Sequence, residues 1–94
     1  MRFSWDEQKN AANKKNHGVS FEEASELFLS EGYLEIFDEA HSLDEDRFIA
    51  VGPIKRGLVL VVYTERDLET VRIVSARWAT KREAGMYQDY LGGK

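Results

Sequence analysis

A length of 94 residues, 43% of them hydrophobic, predicts one small domain spanning residues 1–94. The sequence has no cysteine, which excludes disulfide bonds and thiolate catalysis. Its longest apolar run, Leu58 to Tyr63, is far shorter than a membrane span. No apolar secretion-type segment follows Met1, so we expect a cytoplasmic protein without membrane contact.

The first part of the chain predicts a short strand followed by two helices. Arg2 to Trp5 is a candidate strand, and Asp6 can cap a helix running from Glu7 to Lys15. Ser20 and Glu23 have the spacing of a capping box, and the apolar residues that follow recur at helical spacing. A second short helix is therefore expected here.

After the second helix, the hydrophobic period changes to that of strands. Four strands are predicted, at Tyr33 to Phe37, Arg47 to Ile54, Leu58 to Glu65 and Val71 to Ala76. Their short connections favour hairpins, which join neighbouring strands in antiparallel order. The predicted class is α+β, an antiparallel four- to five-stranded sheet with two N-terminal helices on one face and one C-terminal helix.

The last strand leads into the C-terminal helix, which is predicted from about Lys81 to Leu91 with Gly92-Gly93 at its end. Thr80 and Glu83 have the spacing of a capping box at the start of this helix. Four basic residues gather at this junction, namely Arg72, Arg77, Lys81 and Arg82. Such a group can bind a phosphate at several points. The alternative is ion pairing with nearby carboxylates, Glu65, Asp67, Glu69 and Glu83.

Strand alternation limits how the arginines can cooperate. In a regular strand Arg72 would share a face with Ala76, and Arg77 would share the other face with Ser75. Only a bulge, or the end of the strand at Arg77, would bring both arginines to one face.

Five of the 17 acidic residues lie in one segment of the chain. It contains Asp38, Glu39, Asp44, Glu45 and Asp46. Outside it, the chain has 13 basic and 12 acidic residues, so the formal net charge of −4 does not argue against a nucleic-acid partner. Asp38, His41, Asp44 and Asp46 are possible metal ligands, but the glycine turn and tighter spacing of hard-ion loops are missing. A solvated loop without metal is expected.

Short motifs spread over nearly the whole chain carry a family resemblance. They are Phe3-Ser4-Trp5-Asp6 with Lys9 and Asn13, His17-Gly18 with Phe21 and Ala24, Asp38 with His41, Asp44 to Arg47, Gly52, Val62-Tyr63 with Glu65 and Arg66, and Arg72 to Arg77 with Ala79, Glu83 and Tyr87. In order and spacing they resemble the BrnT family of bacterial toxins. The chain departs from the family pattern at Asn16, where a basic residue is expected, and at Trp78, where a polar or basic residue is common.

The resemblance implies a RelE-like fold and a metal-independent endoribonuclease of a type II toxin-antitoxin pair, acting by 2'-hydroxyl attack without a cofactor. Its implied partners are an RNA substrate and a neutralising BrnA-like antitoxin, with operator DNA bound only through the antitoxin complex. The alternative hypothesis is a protein-binding or co-repressor module of the same fold that has no catalytic activity.

Candidate site residues follow from this chemistry, which needs a stabilised phosphorane and proton transfer. The predicted phosphate-binding residues are Arg66, Arg77 and Arg72; the predicted proton-transfer residues are Lys9, His17, Glu65 and Glu83; the predicted RNA contacts are Lys81, Arg82 and Trp78. Structural roles compete with several of these, since His17 can interact with the end of its helix, Glu83 can cap its own helix and Trp78 can pack in the core.

Overall fold

The computed structural model describes residues 1–43 and 45–92. Asp44 of the acidic loop and Gly93 of the predicted helix end lie outside the described residues. The elements in chain order are β1 (Arg2–Ser4), α1 (Glu7–His17), α2 (Phe21–Ala24), a 3₁₀ turn (Ser25–Leu29), β2 (Leu34–Phe37), a second 3₁₀ turn (Glu39–His41), β3 (Arg47–Ile54), β4 (Gly57–Asp67), β5 (Thr70–Trp78) and α3 (Lys81–Gly92).

The five strands form one sheet in the order β1-β5-β4-β3-β2. Strands β2 to β5 form the predicted antiparallel meander, while β1 pairs in parallel with β5, Phe3 lying opposite Val71. The α+β prediction is confirmed, but the sheet is mixed rather than purely antiparallel. The reason is the connection after β1. The helices carry the chain across one face to the far edge, so β1 and β5 run in the same direction.

The predicted helix caps are confirmed. The side chain of Asp6 accepts hydrogen bonds from Gln8 and Lys9 at the start of α1, and α1 ends at Gly18, whose positive φ of 77° favours glycine. The side chain of Ser20 caps α2, which is only four residues long before it continues as a 3₁₀ turn. None of the helices in the described ranges is long and apolar enough to cross a membrane.

Helices α1 and α2 cover one face of the sheet, where the main core lies. Its fully buried side chains include Phe21 and Leu27 from the helical segment and Tyr63 and Ile73 from the central strands. Aromatic rings continue this core, with Phe28 in edge contact with the ring of Tyr63. Burial of this apolar surface is the main term that stabilises a domain of this size.

Helix α1 has few apolar residues, and two buried asparagines attach it to the rest of the fold. Nδ2 of Asn13 donates to the carbonyls of Val19 and Ala76 at 2.9 and 2.7 Å, and Oδ1 accepts from the Ala76 amide at 3.2 Å. Oδ1 of Asn10 accepts from the amide of Phe21 at 2.7 Å. These bonds join α1, α2 and β5 at buried polar backbone groups, which need partners.

The opposite face of the sheet carries helix α3. Tyr87 of this helix is buried against Val51 and Leu60 in a smaller apolar cluster. The capping box at the start of α3 is complete, because Thr80 Oγ1 accepts from the Glu83 amide at 3.2 Å and Glu83 Oε1 accepts from the Thr80 amide at 2.9 Å. We call this face of the sheet the α3 side.

Candidate functional site

A β-bulge interrupts the pairing of β4 with β5. The pairing passes from Tyr63 with Ile73 to Val62 with Ser75, which leaves Val74 as the extra residue on β5. A bulge of this kind shifts the alternation of side chains by one residue.

The bulge places Arg72 and Arg77 on the same face. Arg72 lies opposite Thr64 and Arg77 lies opposite Leu60. Directly opposed residues share a face, and Thr64 and Leu60 are four residues apart on the same strand. Both arginines therefore lie on the α3 side. The bulge that the sequence analysis required for this common face is present.

A cavity of about 340 Å³ opens on the α3 side, within the size range of small-ligand sites. Its floor is apolar and comes from β3 and β4. Its polar lining residues are Asp38, His41, Arg47, Ser75, Arg77 and Glu83. We call this the α3-side cavity.

A larger hollow of about 480 Å³ lies at the β4–β5 turn, and it suits an anionic ligand poorly. Three carboxylates line it, those of Glu65, Asp67 and Glu69. Like charges repel a phosphate. The α3-side cavity differs because its lining has two guanidinium groups, those of Arg47 and Arg77, beside its two carboxylates.

Arg77 is held in the α3-side cavity by Glu83. Nη1 and Nη2 of Arg77 donate to the two carboxylate oxygens of Glu83 at 2.9 and 2.8 Å, and Nη1 also donates to the Trp78 carbonyl at 3.2 Å. A guanidinium has five N–H donors. Among the described residues, nothing accepts from Nε or from the second Nη2 proton, so this fork is open to a phosphate.

Glu83 stays ionised at neutral pH. The hydrogen bond from Arg77, followed in importance by the Thr80 amide, lowers the pKa of Glu83 to about 2. The same contact raises the pKa of Arg77. A carboxyl group with such a low pKa has no proton to donate at pH 7, so its geometry suits the positioning of Arg77.

This pair predicts a pH-dependent stability term. The folded-state pKa of Glu83 lies below its usual value of 4.5, so the stabilisation is present above about pH 4.5 and is lost as the pH falls towards about 2. Allowing for solvent screening at Arg77, we expect the Glu83→Gln variant to lose about 1–2 kcal/mol of unfolding free energy at pH 7. Urea unfolding at pH 7 and pH 3 measures this. A loss of the same size at both pH values would contradict the assignment.

Asp38 and His41 form a carboxylate-imidazole pair at the edge of the same cavity. Nδ1 of His41 lies 3.0 Å from Oδ2 and 3.2 Å from Oδ1 of Asp38. A carboxylate only accepts hydrogen bonds, so Nδ1 is the donor and Nε2 points its lone pair elsewhere. In the sequence analysis these two residues are possible metal ligands and part of the family motif, but they are not candidates for proton transfer. Their three-residue spacing was the available signal.

A row of polar residues crosses the sheet beside the cavity. Arg47 lies opposite Thr64, which in turn lies opposite Arg72. Thr64 is 1% exposed, and its Oγ1 has no hydrogen-bond partner among the described residues. Among the described residues, Nη1 of Arg72 donates only to Ser4 Oγ, at 3.4 Å. The row thus adds one cation, Arg72, to the two arginines that line the cavity.

The remaining candidates lie away from the cavity lining. Arg66 is at the second irregularity of β4 and pairs with Glu45 at 3.2 Å, both side chains about half exposed. Lys81 and Arg82 are exposed in the first turn of α3. The structure brings neither group into the cavity, and their roles stay predictions.

Four candidates belong to the side of the sheet that carries α1. Lys9 and His17 are exposed on α1 itself, and Glu65 lies opposite the core residue Val71. The ring of Trp78 packs against the main core, and Cζ of Arg56 lies 5.0 Å from the centroid of this ring. These four residues do not share a site with Arg77 in this structure.

A family model described as "Ribonuclease toxin, BrnT, of type II toxin-antitoxin system" matches residues 5–83. The fold is also similar to the crystal structure of the Brucella abortus ribonuclease toxin BrnT, with a TM-score of 0.70 and 26% sequence identity, over 86% of this chain and 99% of that chain. A comparison with curated protein sequences finds none that matches.

Proposed function

This chain belongs to the BrnT family of ribonuclease toxins of type II toxin-antitoxin systems, and from its geometry we propose that it cleaves RNA in the α3-side cavity without a metal ion. The observation that supports this most directly is the open fork of Arg77. Glu83 fixes one edge of the guanidinium and leaves the Nε proton and the second Nη2 proton to bind two phosphate oxygens.

The proposed reaction is attack of the RNA 2'-hydroxyl on the adjacent phosphorus. Negative charge grows on the phosphoryl oxygens in the transition state, and a fixed guanidinium stabilises that charge without having to reorganise. Arg47 in the cavity lining and Arg72 beside it supply positions for neighbouring phosphates. Lys81 and Arg82 extend the positive charge along the start of α3. The residues on the α1 side, Lys9, His17, Glu65 and Trp78, and also Arg66, stay predictions outside this scheme.

The test is incubation of the purified chain with single-stranded RNA in the presence of EDTA. We expect cleavage products with 2',3'-cyclic phosphate and 5'-hydroxyl ends, because the 2'-oxygen remains bonded to phosphorus. Cleavage that requires a divalent cation would contradict the metal-independent scheme. Binding of RNA or of a protein partner without any cleavage would favour the module without catalytic activity.

Membership of a type II family implies a cognate antitoxin. We propose that a BrnA-like antitoxin neutralises this chain in the cytoplasm, where its RNA substrate is, and that operator DNA is contacted only through the complex. The exposed cations at the start of α3 lie close in sequence to Arg77, so a partner that covers them with acidic or polar side chains would also hide the phosphate site.

This interface predicts an effect on association rate. The double variant Lys81→Glu with Arg82→Glu is expected to bind the antitoxin more slowly at low salt and to lose most of the difference at high salt, because charge steering is screened. Stopped-flow association measures this. The matched control is Lys14→Glu with Lys15→Glu, the same charge change on exposed positions of α1. Equal slowing in both variants would place the interface elsewhere.

A further inference from the structure

We propose that His41, oriented by Asp38, is the proton acceptor for RNA cleavage in the α3-side cavity. This inference rests on the proposed function and goes beyond it by naming the group that activates the 2'-hydroxyl. Neither residue is among the proton-transfer candidates that the sequence provided.

The first argument is placement. His41 and Asp38 line the same cavity as Arg77 and Glu83. The first pair lies between β2 and β3, whereas the second pair comes from β5 and α3. A phosphate bound by the open fork of Arg77 would therefore have an imidazole in the same cavity. Acid-base catalysis requires such a group within hydrogen-bond reach of the reacting hydroxyl.

The second argument is orientation. The carboxylate of Asp38 is largely buried, with its side chain 15% exposed, whereas the side chain of His41 is 69% exposed. The bond from Nδ1 to Asp38 fixes the tautomer in which Nε2 accepts a proton. The imidazole is thus held at one edge and accessible at the other, which is the arrangement of an oriented general base.

The third argument is rigidity of the supporting turn. The Asp38 amide donates to the Arg47 carbonyl at 2.8 Å. Ser42 Oγ donates to the Asp38 carbonyl at 2.6 Å and accepts from the Arg47 amide at 2.9 Å. These bonds tie the turn that carries His41 to the first residue of β3, so the pair has a fixed position relative to the sheet.

The proton balance is complete with this assignment. Nε2 of His41 takes the 2'-hydroxyl proton while the 2'-oxygen bonds to phosphorus. The bond from phosphorus to the 5'-oxygen breaks, and the leaving oxygen takes a proton from water at the open cavity. The imidazolium then returns its proton to water. Arg77 stabilises the phosphorane charge, and no oxidant or further reactant is needed.

The experiment compares variants of the full chain on single-stranded RNA. His41→Ala is expected to lower the cleavage rate about 100-fold or more and to regain activity when free imidazole is added. Asp38→Asn should lower kcat and leave KM unchanged, since Asp38 acts by orienting His41. Glu39→Ala is the matched control, an exposed residue on the same turn that does not line the cavity.

His17→Ala is the competing variant, because the chain has only two histidines. If His17→Ala loses cleavage and regains it with free imidazole while His41→Ala keeps its rate, the inference is overturned and the proposed function stands. Full activity of His41→Ala overturns it equally. Failure of the unmodified chain to cleave RNA overturns the proposed function, and this inference with it.

Discussion

The Arg77→Ala variant is expected to cleave RNA about 100- to 1000-fold more slowly than the unmodified chain, the usual loss when one pre-organised transition-state donor is removed. Its unfolding free energy should fall by only about 1–2 kcal/mol, because the Arg77–Glu83 pair is partly exposed. Initial cleavage rates and urea unfolding, measured on the same preparation, separate the two effects.

A matched control exists on the other side of the sheet. Nε and Nη2 of Arg56 donate to the two carboxylate oxygens of Glu23, which is a similar bidentate ion pair. The Arg56→Ala variant removes a comparable ion pair that does not line the α3-side cavity and should keep its cleavage rate. If Arg77→Ala cleaves as fast as Arg56→Ala, the scissile phosphate is held by another cation, and Arg72 and Arg47 become the residues to test.

The second large effect concerns folding. The Asn13→Ala variant is expected to lose about 3 kcal/mol of unfolding free energy, because an amide and two carbonyls that Asn13 satisfies would remain buried without partners. Domains of this size are stable by only about 5–15 kcal/mol. The loss should therefore appear as a clear decrease in the urea midpoint.

Asn16→Ala provides the comparison for Asn13→Ala, since it changes the same residue type at an exposed position of the same helix. Surface substitutions of this kind usually change stability by less than about 0.5 kcal/mol. A similar midpoint for both variants would show that the Asn13 bonds contribute little and that apolar packing alone attaches α1.

Local sequence signals predicted most of the fold. The predicted capping boxes depend on residues three positions apart, and the box at Thr80 is complete. At Ser20 only the bond from the Glu23 amide to Ser20 Oγ is present, because the Glu23 carboxylate binds Arg56. The strand from Arg47 to Ile54 has the predicted bounds. Alternating apolar residues and short connections act between neighbouring residues in the chain. The bounds of such hairpin strands can therefore be predicted from the sequence alone.

The parts that sequence reasoning missed depend on partners far away in the chain. The parallel pairing of β1 and the bonds of Asn13 to Ala76 join residues from opposite ends of the sequence. The bulge at Val74 has no local signature such as a glycine. The sequence therefore showed that Arg72 and Arg77 need a bulge to share a face, but it could not predict that the bulge is there. The Asp38–His41 pair has local spacing, but its position beside Arg77 is set by the sheet order.

The parallel pairing of β1 with β5 also sets the order in which the chain can fold during its synthesis. β1 is synthesised long before its partner strand β5. The hydrogen bond from Asn13 of α1 to the Ala76 carbonyl can likewise form only after Ala76 has been made. Contacts between such distant segments form late because a long loop must close first. Arg77 follows Ala76 directly, so the same short stretch closes the sheet and supplies the proposed phosphate-binding group. We therefore expect a nascent chain that ends before β5 to lack both the parallel pairing of β1 and the proposed phosphate site.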